Sequence, residues 1–305
     1  MTTTHQHTAS AVSEASSTTG RPTSAGTLSA SDPVRGRQIN IGAGFSALSF
    51  DHQRFDGLMD PLVMVDHFTM SEPTFGPHPH AGISAVSVLF EDSQGRYHNR
   101  DSLGHDIDLE PGDLYWLKAG RGVVHDESPR PGAQTHGLQV FVNLPSTAKH
   151  DAPDSLHIRA GDIPELRSDS YRVRVVLGDS QGVQGQTSPA LPMTILDAHL
   201  PAGGSFSHSL PTDVHTWIHT IRGEGQAIAN NTAVPLCPGD ALAMYNSVEG
   251  TELTLRSGPG GQFVLIQGQP IKEPTVQRGG FVMNTTEQLD AVVAAHAAGE
   301  LGGVD

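Results

Sequence analysis

The chain has 305 residues, 17 histidines, one cysteine and a formal net charge of -15. Eighteen basic against 33 acidic residues argue against binding to phosphate backbones or anionic lipid, so direct nucleic-acid and membrane partners are not expected. A single Cys, Cys237, excludes an intrachain disulfide framework and thiolate-rich zinc or iron–sulfur sites.

The N-terminal stretch, 1–33, is rich in Ser, Thr and Ala and poor in large apolar side chains. It cannot bury enough surface to offset the entropy of ordering, so a disordered tail is expected there. It lacks a basic start followed by an apolar run, and no segment has the length of a membrane span. A cytoplasmic location is therefore expected, or a nuclear one in a eukaryote. Beyond the tail, Gly and Pro recur about every ten residues between short β-branched and apolar runs. In chain order the runs are 62–65, 84–90, 114–117, 138–144, 173–177, 193–196, 217–221, 241–244 and 263–266. Many short strands with frequent turns predict an all-β barrel or sandwich. Thr285-Thr-Glu-Gln288 reads as a capping box, followed by Leu289, Val292, Val293 and His296 at helical spacing, so a helix is predicted at about 286–298. Leu109-Glu-Pro-Gly-Asp113 reappears as Leu236-Cys-Pro-Gly-Asp240, each copy before an apolar strand. Two related barrels follow, divided here as 34–178 and 179–305.

With 17 histidines, a His-x-His triplet arises about once by chance. There are two. His5-Gln-His7 lies in the tail with no scaffold, whereas His78-Pro-His80 lies at a strand entry, where residues i and i+2 face the same way. His125 and Glu127 repeat that spacing after the Gly-rich turn Gly120-Arg-Gly122. On facing strands the two pairs would bring three imidazoles and one carboxylate together. The corresponding stretch of the second barrel has Glu252 and Thr254 at those offsets, so that barrel is expected to lack a site. His208, His215 and His219 are read as surface or packing residues.

These residues resemble the cupin superfamily and, within it, the pirin family. The resemblance rests on Asp60-Pro-Leu-Val-Met-Val-Asp-His-Phe68, His78-Pro-His-Ala-Gly82, Ala119-Gly-Arg-Gly-Val-Val-His-Asp-Glu127, His136-Gly-Leu-Gln-Val-Phe-Val-Asn143 and Phe281-Val-Met-Asn-Thr285. It implies two tandem cupin (jelly-roll type) barrels with a short C-terminal helix, and one metal in the first barrel held by His78, His80, His125 and Glu127. It also implies quercetin 2,3-dioxygenase-type activity with Glu127 as catalytic base, or instead a metal-dependent regulatory role through a protein partner. Many cupins carry a glutamate shortly after the His-x-His pair, where this chain has Ser84. Three nitrogens and one oxygen leave two of six positions open, which suits Fe(II), with Mn, Co, Ni, Cu or Zn as competitors. Those positions can take a flavonol-like substrate and dioxygen. Phe68, Phe75, Trp116 and Phe141 are candidates to line its pocket. His136, His67 and Ser84 are candidates to stand behind the ligands.

Overall fold

The computed structural model describes residues 27–304. Most of the expected tail, with His5 and His7, lies outside them. Its last part departs from expectation: Leu28–Ala30 is a strand paired with Asp240–Asn246. No helix among the described residues is long and apolar enough to cross a membrane.

Every expected apolar run falls within a strand or overlaps one by all but a terminal residue. The first barrel has a seven-stranded antiparallel sheet, in the order Asp154–Ile158, Leu114–Lys118, Ile83–Leu89, Thr135–Asn143, Leu62–Met70, Phe45–Asp51 and Arg37–Ile41. A four-stranded sheet faces it, ordered His78–His80, Val123–Pro129, Tyr97–Asp101 and Asp106–Leu109. The larger sheet is covered on both sides, which is why Ile83–Leu89 is buried throughout and reads as an unbroken run rather than an alternation. Its even positions, Val86 and Val88, pack with Phe50, Trp116 and Val140 against Trp217, Val264 and Ile266 of the second barrel. Its odd positions, such as Leu89, face the interior of the first barrel with Phe68 and Tyr97. Trp116 therefore belongs to the inter-barrel core, not to a pocket.

The second barrel is built on a ten-stranded sheet with its own core, in which Phe206, Ile218, Leu242, Phe263 and Leu265 are fully enclosed. Two of its strands, Val214–Ala229 and Glu252–Gly268, run 16 and 17 residues, far beyond the apolar runs that marked them. They bend instead of ending. Their register shifts between Thr220 and Arg222 and again between Gly223 and Gly225. Gly223 has φ +75°, and a Cβ there would stand 2.1 Å from the Gly260 carbonyl oxygen, so the chain needs glycine to keep the strands together through the bend.

The strand pairing corrects the division of the chain. Glu165–Ser168 and Tyr171–Leu177, assigned to the first barrel from the sequence, pair into the second sheet. Residues 28–35 likewise add strands to the second barrel. At the other end, the hairpin Val276–Arg278/Phe281–Met283 and the helix Thr286–Ala297 return to the first barrel. There Phe281, Met283, Leu289, Val292 and Leu301 pack on Ala81 and Val124. The helix has the expected capping box, Thr285 with Gln288. Each terminus thus completes the barrel that is farther away in sequence.

Candidate metal centre

The His78–His80 strand lies antiparallel to Val123–Pro129, with His125 opposite His78 and Val123 opposite His80. The alternation of side chains then turns His78, His80, His125 and Glu127 toward the same interior. The Nε2 atoms of His80 and His78 each lie 3.0 Å from Nε2 of His125. His80 and His125 are almost wholly buried, at 2% and 1% exposure. Glu127 stands just outside this tight group of three imidazoles. Its Oε1 accepts a hydrogen bond from Ser87 Oγ at 2.7 Å. Ser87 Oγ is also 3.0 Å from the Gln139 side-chain amide. The hydroxyl has one proton, so it donates to only one of the two facing oxygens, Glu127 Oε1 or Gln139 Oε1, at a time.

The donor set fits a divalent transition metal. Nδ1 of His78 lies 2.8 Å from the Gly76 carbonyl, and Nδ1 of His80 lies 3.3 Å from the Gly280 carbonyl. A carbonyl only accepts, so both Nδ1 atoms carry the proton, and both Nε2 lone pairs converge on Nε2 of His125. One imidazole proton cannot satisfy three converging nitrogens, whereas one cation can. Protonating the cluster is no remedy. Burial, and then the neighbouring His78, drives His80 down to about 3. Burial likewise drives His125 well below the ordinary histidine range. Both are therefore neutral at physiological pH and could serve as ligands. Burial pushes the Glu127 carboxyl up to about 7, against the lowering effect of Ser87.

A cavity of about 380 Å³ opens beside the cluster, with His78, His80, Glu127 and Gln139 in its wall. Phe45, Met64, Phe68, Phe75, Tyr97 and Phe141 make most of the rest apolar and aromatic. Asp66 is also in the wall. Burial raises its carboxyl above the usual range, offset by Ser49 and Arg37. Phe75 is the most open of the lining rings, 48% exposed, and meets Phe45 edge-on at 5.0 Å.

The residues expected behind the ligands sit elsewhere. Ser84 is buried on the same side of its strand as Val86 and Val88, facing the inter-barrel core, and its Oγ has no protein partner. The inward hydroxyl is Ser87, three residues on and therefore on the opposite face. His67 and His136 also face away from the cluster, because the inward residues of their strands are Met64, Asp66 and Phe68, and Gln139 and Phe141. They form a row across the barrel interface. His219 Nε2 is 3.0 Å from His67 Nδ1, His67 Nε2 is 2.8 Å from His136 Nε2, and His136 Nδ1 is 2.7 Å from Asp92. Burial holds His67 down at about 2 and His219 at about 4. His208 and His215, with His219, are packing residues of the second barrel, all at most 9% exposed. A second grouping of metal-competent side chains, Glu91, Asp197 and His199, has arginines in it already. Arg172 Nη1 is 2.6 Å from Glu91, and Arg174 Nη1 is 3.5 Å from Asp197.

Ser87 and Gln139 escaped the sequence reading, although a serine on the inward phase of an apolar strand was a usable signal. Gly279 and Gly280, also in the cavity wall, come from a segment 200 residues from His80, and no spacing could connect them.

Comparison with known proteins agrees with this architecture. Residues 46–142 match the pirin family model and residues 195–302 the pirin C-terminal cupin domain. Pirin of Mus musculus is 34% identical over 244 residues, covering 77% of this chain and 80% of its own. A pirin-like protein of Solanum lycopersicum is 34% identical over 253 residues, covering 80% and 82%. Among solved structures, quercetin 2,3-dioxygenase from Acinetobacter baumannii superposes with a TM-score of 0.78 at 26% identity, covering 92% of this chain and all of that one. The bacterial pirin YhhW of Escherichia coli, solved with nickel(II), shares the fold at a TM-score of 0.59 and 15% identity, covering 80% of this chain and all of that one.

Proposed function

The chain belongs to the pirin family of two-domain cupins, and from that premise we propose that it is a mononuclear metal protein with quercetin 2,3-dioxygenase-type activity. The observation that carries the reading is the convergence of three imidazole nitrogens beside a buried carboxyl, at the wall of an aromatic cavity. His78, His80 and His125 hold the metal, with Glu127 beside them as fourth ligand or base. Iron(II) is the metal proposed, since an N₃O set with open positions suits it. When bound, the metal supplies Lewis acidity toward a substrate oxygen and a place for dioxygen to react.

The protein's own part follows from the geometry. A cavity of about 380 Å³ with aromatic walls has room for a flat bicyclic or tricyclic phenol. Glu127, poised near 7, takes the proton of a substrate hydroxyl at its carboxylate oxygen. Ser87 fixes the direction of that carboxylate through its 2.7 Å hydrogen bond to Glu127 Oε1. The quercetin 2,3-dioxygenase of A. baumannii, alike in both barrels, supports the choice of a flavonol and dioxygen as substrates.

The test joins elemental analysis of the purified protein to oxygen uptake with quercetin after anaerobic iron loading. About one metal per chain and flavonol-dependent oxygen consumption are expected. Metal without consumption would overturn the enzymatic reading and leave a metal-dependent partner-binding role in its place.

A further inference from the structure

We propose that the C-terminal hairpin, from the far end of the chain, is a positioning element of the first barrel's metal centre: Gly280 sets the orientation of His80, and Lys149 fastens the hairpin there. The inference rests on His80 being a metal ligand, as proposed above.

The hairpin reaches the site by backbone pairing. Ala81 N–H donates to the Gly280 carbonyl at 3.3 Å, and Val282 N–H donates to the Ala81 carbonyl at 3.0 Å. Ala81 directly follows the His-Pro-His triplet. The same Gly280 carbonyl stands 3.3 Å from His80 Nδ1. It therefore selects the tautomer that leaves Nε2 free and fixes the ring's rotation about the backbone. No side chain fits at this point. A Cβ on Gly280 would stand 2.4 Å from His80 Nδ1 and 2.6 Å from the Pro79 carbonyl oxygen. The requirement here is space. The neighbouring Gly279 is the reverse case: its φ is +59°, but a Cβ there would meet nothing within 4 Å.

Lys149 supplies the fastening. It is fully enclosed, at 0% exposure. Its Nζ donates to the Gly82 carbonyl at 2.8 Å, to Asn143 Oδ1 at 2.6 Å and to the Val282 carbonyl at 2.8 Å. All three ammonium protons are used, one on the turn after His80, one on the end of the Thr135–Asn143 strand and one on the hairpin. A buried ammonium is costly unless each proton is satisfied, so the lysine holds its three oxygens as a set. The tie runs between the two elements whose relative position decides where His80 points.

The experiment titrates cobalt(II) into metal-stripped full-length protein and reads both the dissociation constant and the d–d absorption spectrum, with the melting temperature of the metal-free form recorded alongside. Gly280→Ala is expected to weaken cobalt binding at least tenfold and to alter the spectrum, and also to lower the melting temperature of the metal-free protein, because its Cβ meets the Pro79 carbonyl as well as His80. Gly279→Ala is expected to lower the melting temperature and leave affinity and spectrum as in the wild type. A Gly280→Ala protein with wild-type affinity and spectrum overturns the positioning role while the metal centre stands. Wild-type protein that takes up no cobalt overturns the metal centre itself, and this inference with it. If Gly280→Ala does not fold, Lys149→Met is read in its place against the same tenfold threshold, and an unchanged affinity and spectrum again overturn the proposal.

Discussion

The two barrels carry the same Pro-Gly-Asp turn and use it in the same way. In the first, the Asp113 carboxylate accepts the Glu110 N–H at 3.0 Å; in the second, the Asp240 carboxylate accepts the Cys237 N–H at 3.0 Å. Each turn leads into a strand of its barrel's main sheet. Their interiors are opposites. After the first turn, His125 and Glu127 fall on the inward phase of their strand. After the second, Glu252 and Thr254 fall on the outward phase, and the inward residues are Leu253 and Leu255. A shift of one residue exchanges every side chain between faces. A barrel can thus keep its turns and strand order while one phase change puts leucines where the other has an imidazole and a carboxyl. The first barrel holds a cavity where the second holds a filled core.

The largest effect that would sharpen this contrast is loss of metal. His80→Ala should reduce the metal content from about one per chain to near zero by elemental analysis, whereas His208→Ala in the second barrel should leave it unchanged. His208 is instead a core hydrogen-bonding residue, 2.9 Å from Gln267 and 2.8 Å from Ser180. Its removal should cost about 1–3 kcal/mol in urea unfolding. Metal lost equally from both variants would break the comparison. Next, Glu127→Gln should keep metal while turnover falls by about 10²–10⁴, the usual share of a general base. Undiminished turnover would remove Glu127 from the chemistry without touching the imidazoles.

Packing gives the next contrast. Phe206→Ala, in the closed core, should destabilise the protein by about 3–5 kcal/mol. Phe141→Ala should cost less, because that ring is only partly buried at the cavity wall. Equal losses by calorimetry would mean that the first barrel's interior is as tightly filled as the second's.

The smallest effect concerns the seam between the barrels. Burial depresses His67 and His219 in the folded protein, so both take up protons on unfolding once the pH is below about 6.5. Their stabilisation is fully present above about 6.5 and is lost as the pH falls toward their folded values. Each proton contributes a slope of up to about 1.4 kcal/mol per pH unit. His219→Gln should therefore flatten the decline in urea midpoint between about pH 6 and pH 5. A decline as steep as the wild type's would remove that histidine from the acid response.

What the sequence made legible follows from the range of each signal. Strands such as Ile83–Leu89 and the helix Thr286–Ala297 were readable because periodicity and capping are local. The convergence of His78, His80 and His125 was readable because two i, i+2 pairs need only one antiparallel pairing to meet. The face a strand residue occupies was not readable where both faces are buried. Hence periodicity alone does not separate Ser84, His67 and His136, which face away from the imidazole cluster, from Ser87, which faces it. The full length of Val214–Ala229 is not legible either, since a glycine inside a bend, such as Gly223, looks like one that ends a strand. The exchange of termini between barrels depends on pairings more than 200 residues apart, such as Leu28 with Asn246.

That exchange also imposes an order in time. On the ribosome, His78, His80 and His125 emerge and can pair as soon as the first barrel's strands are made. Gly280, whose carbonyl orients His80, is joined to the chain some 137 residues after Asn143 closes the last of the strands that carry the cavity wall. At ordinary synthesis rates, about 5–20 residues per second, that is a delay on the order of ten seconds. During it the imidazoles lack their final alignment. The centre is thus finished only when synthesis has passed Gly280, and a product truncated within the second barrel would lack the piece that completes the first.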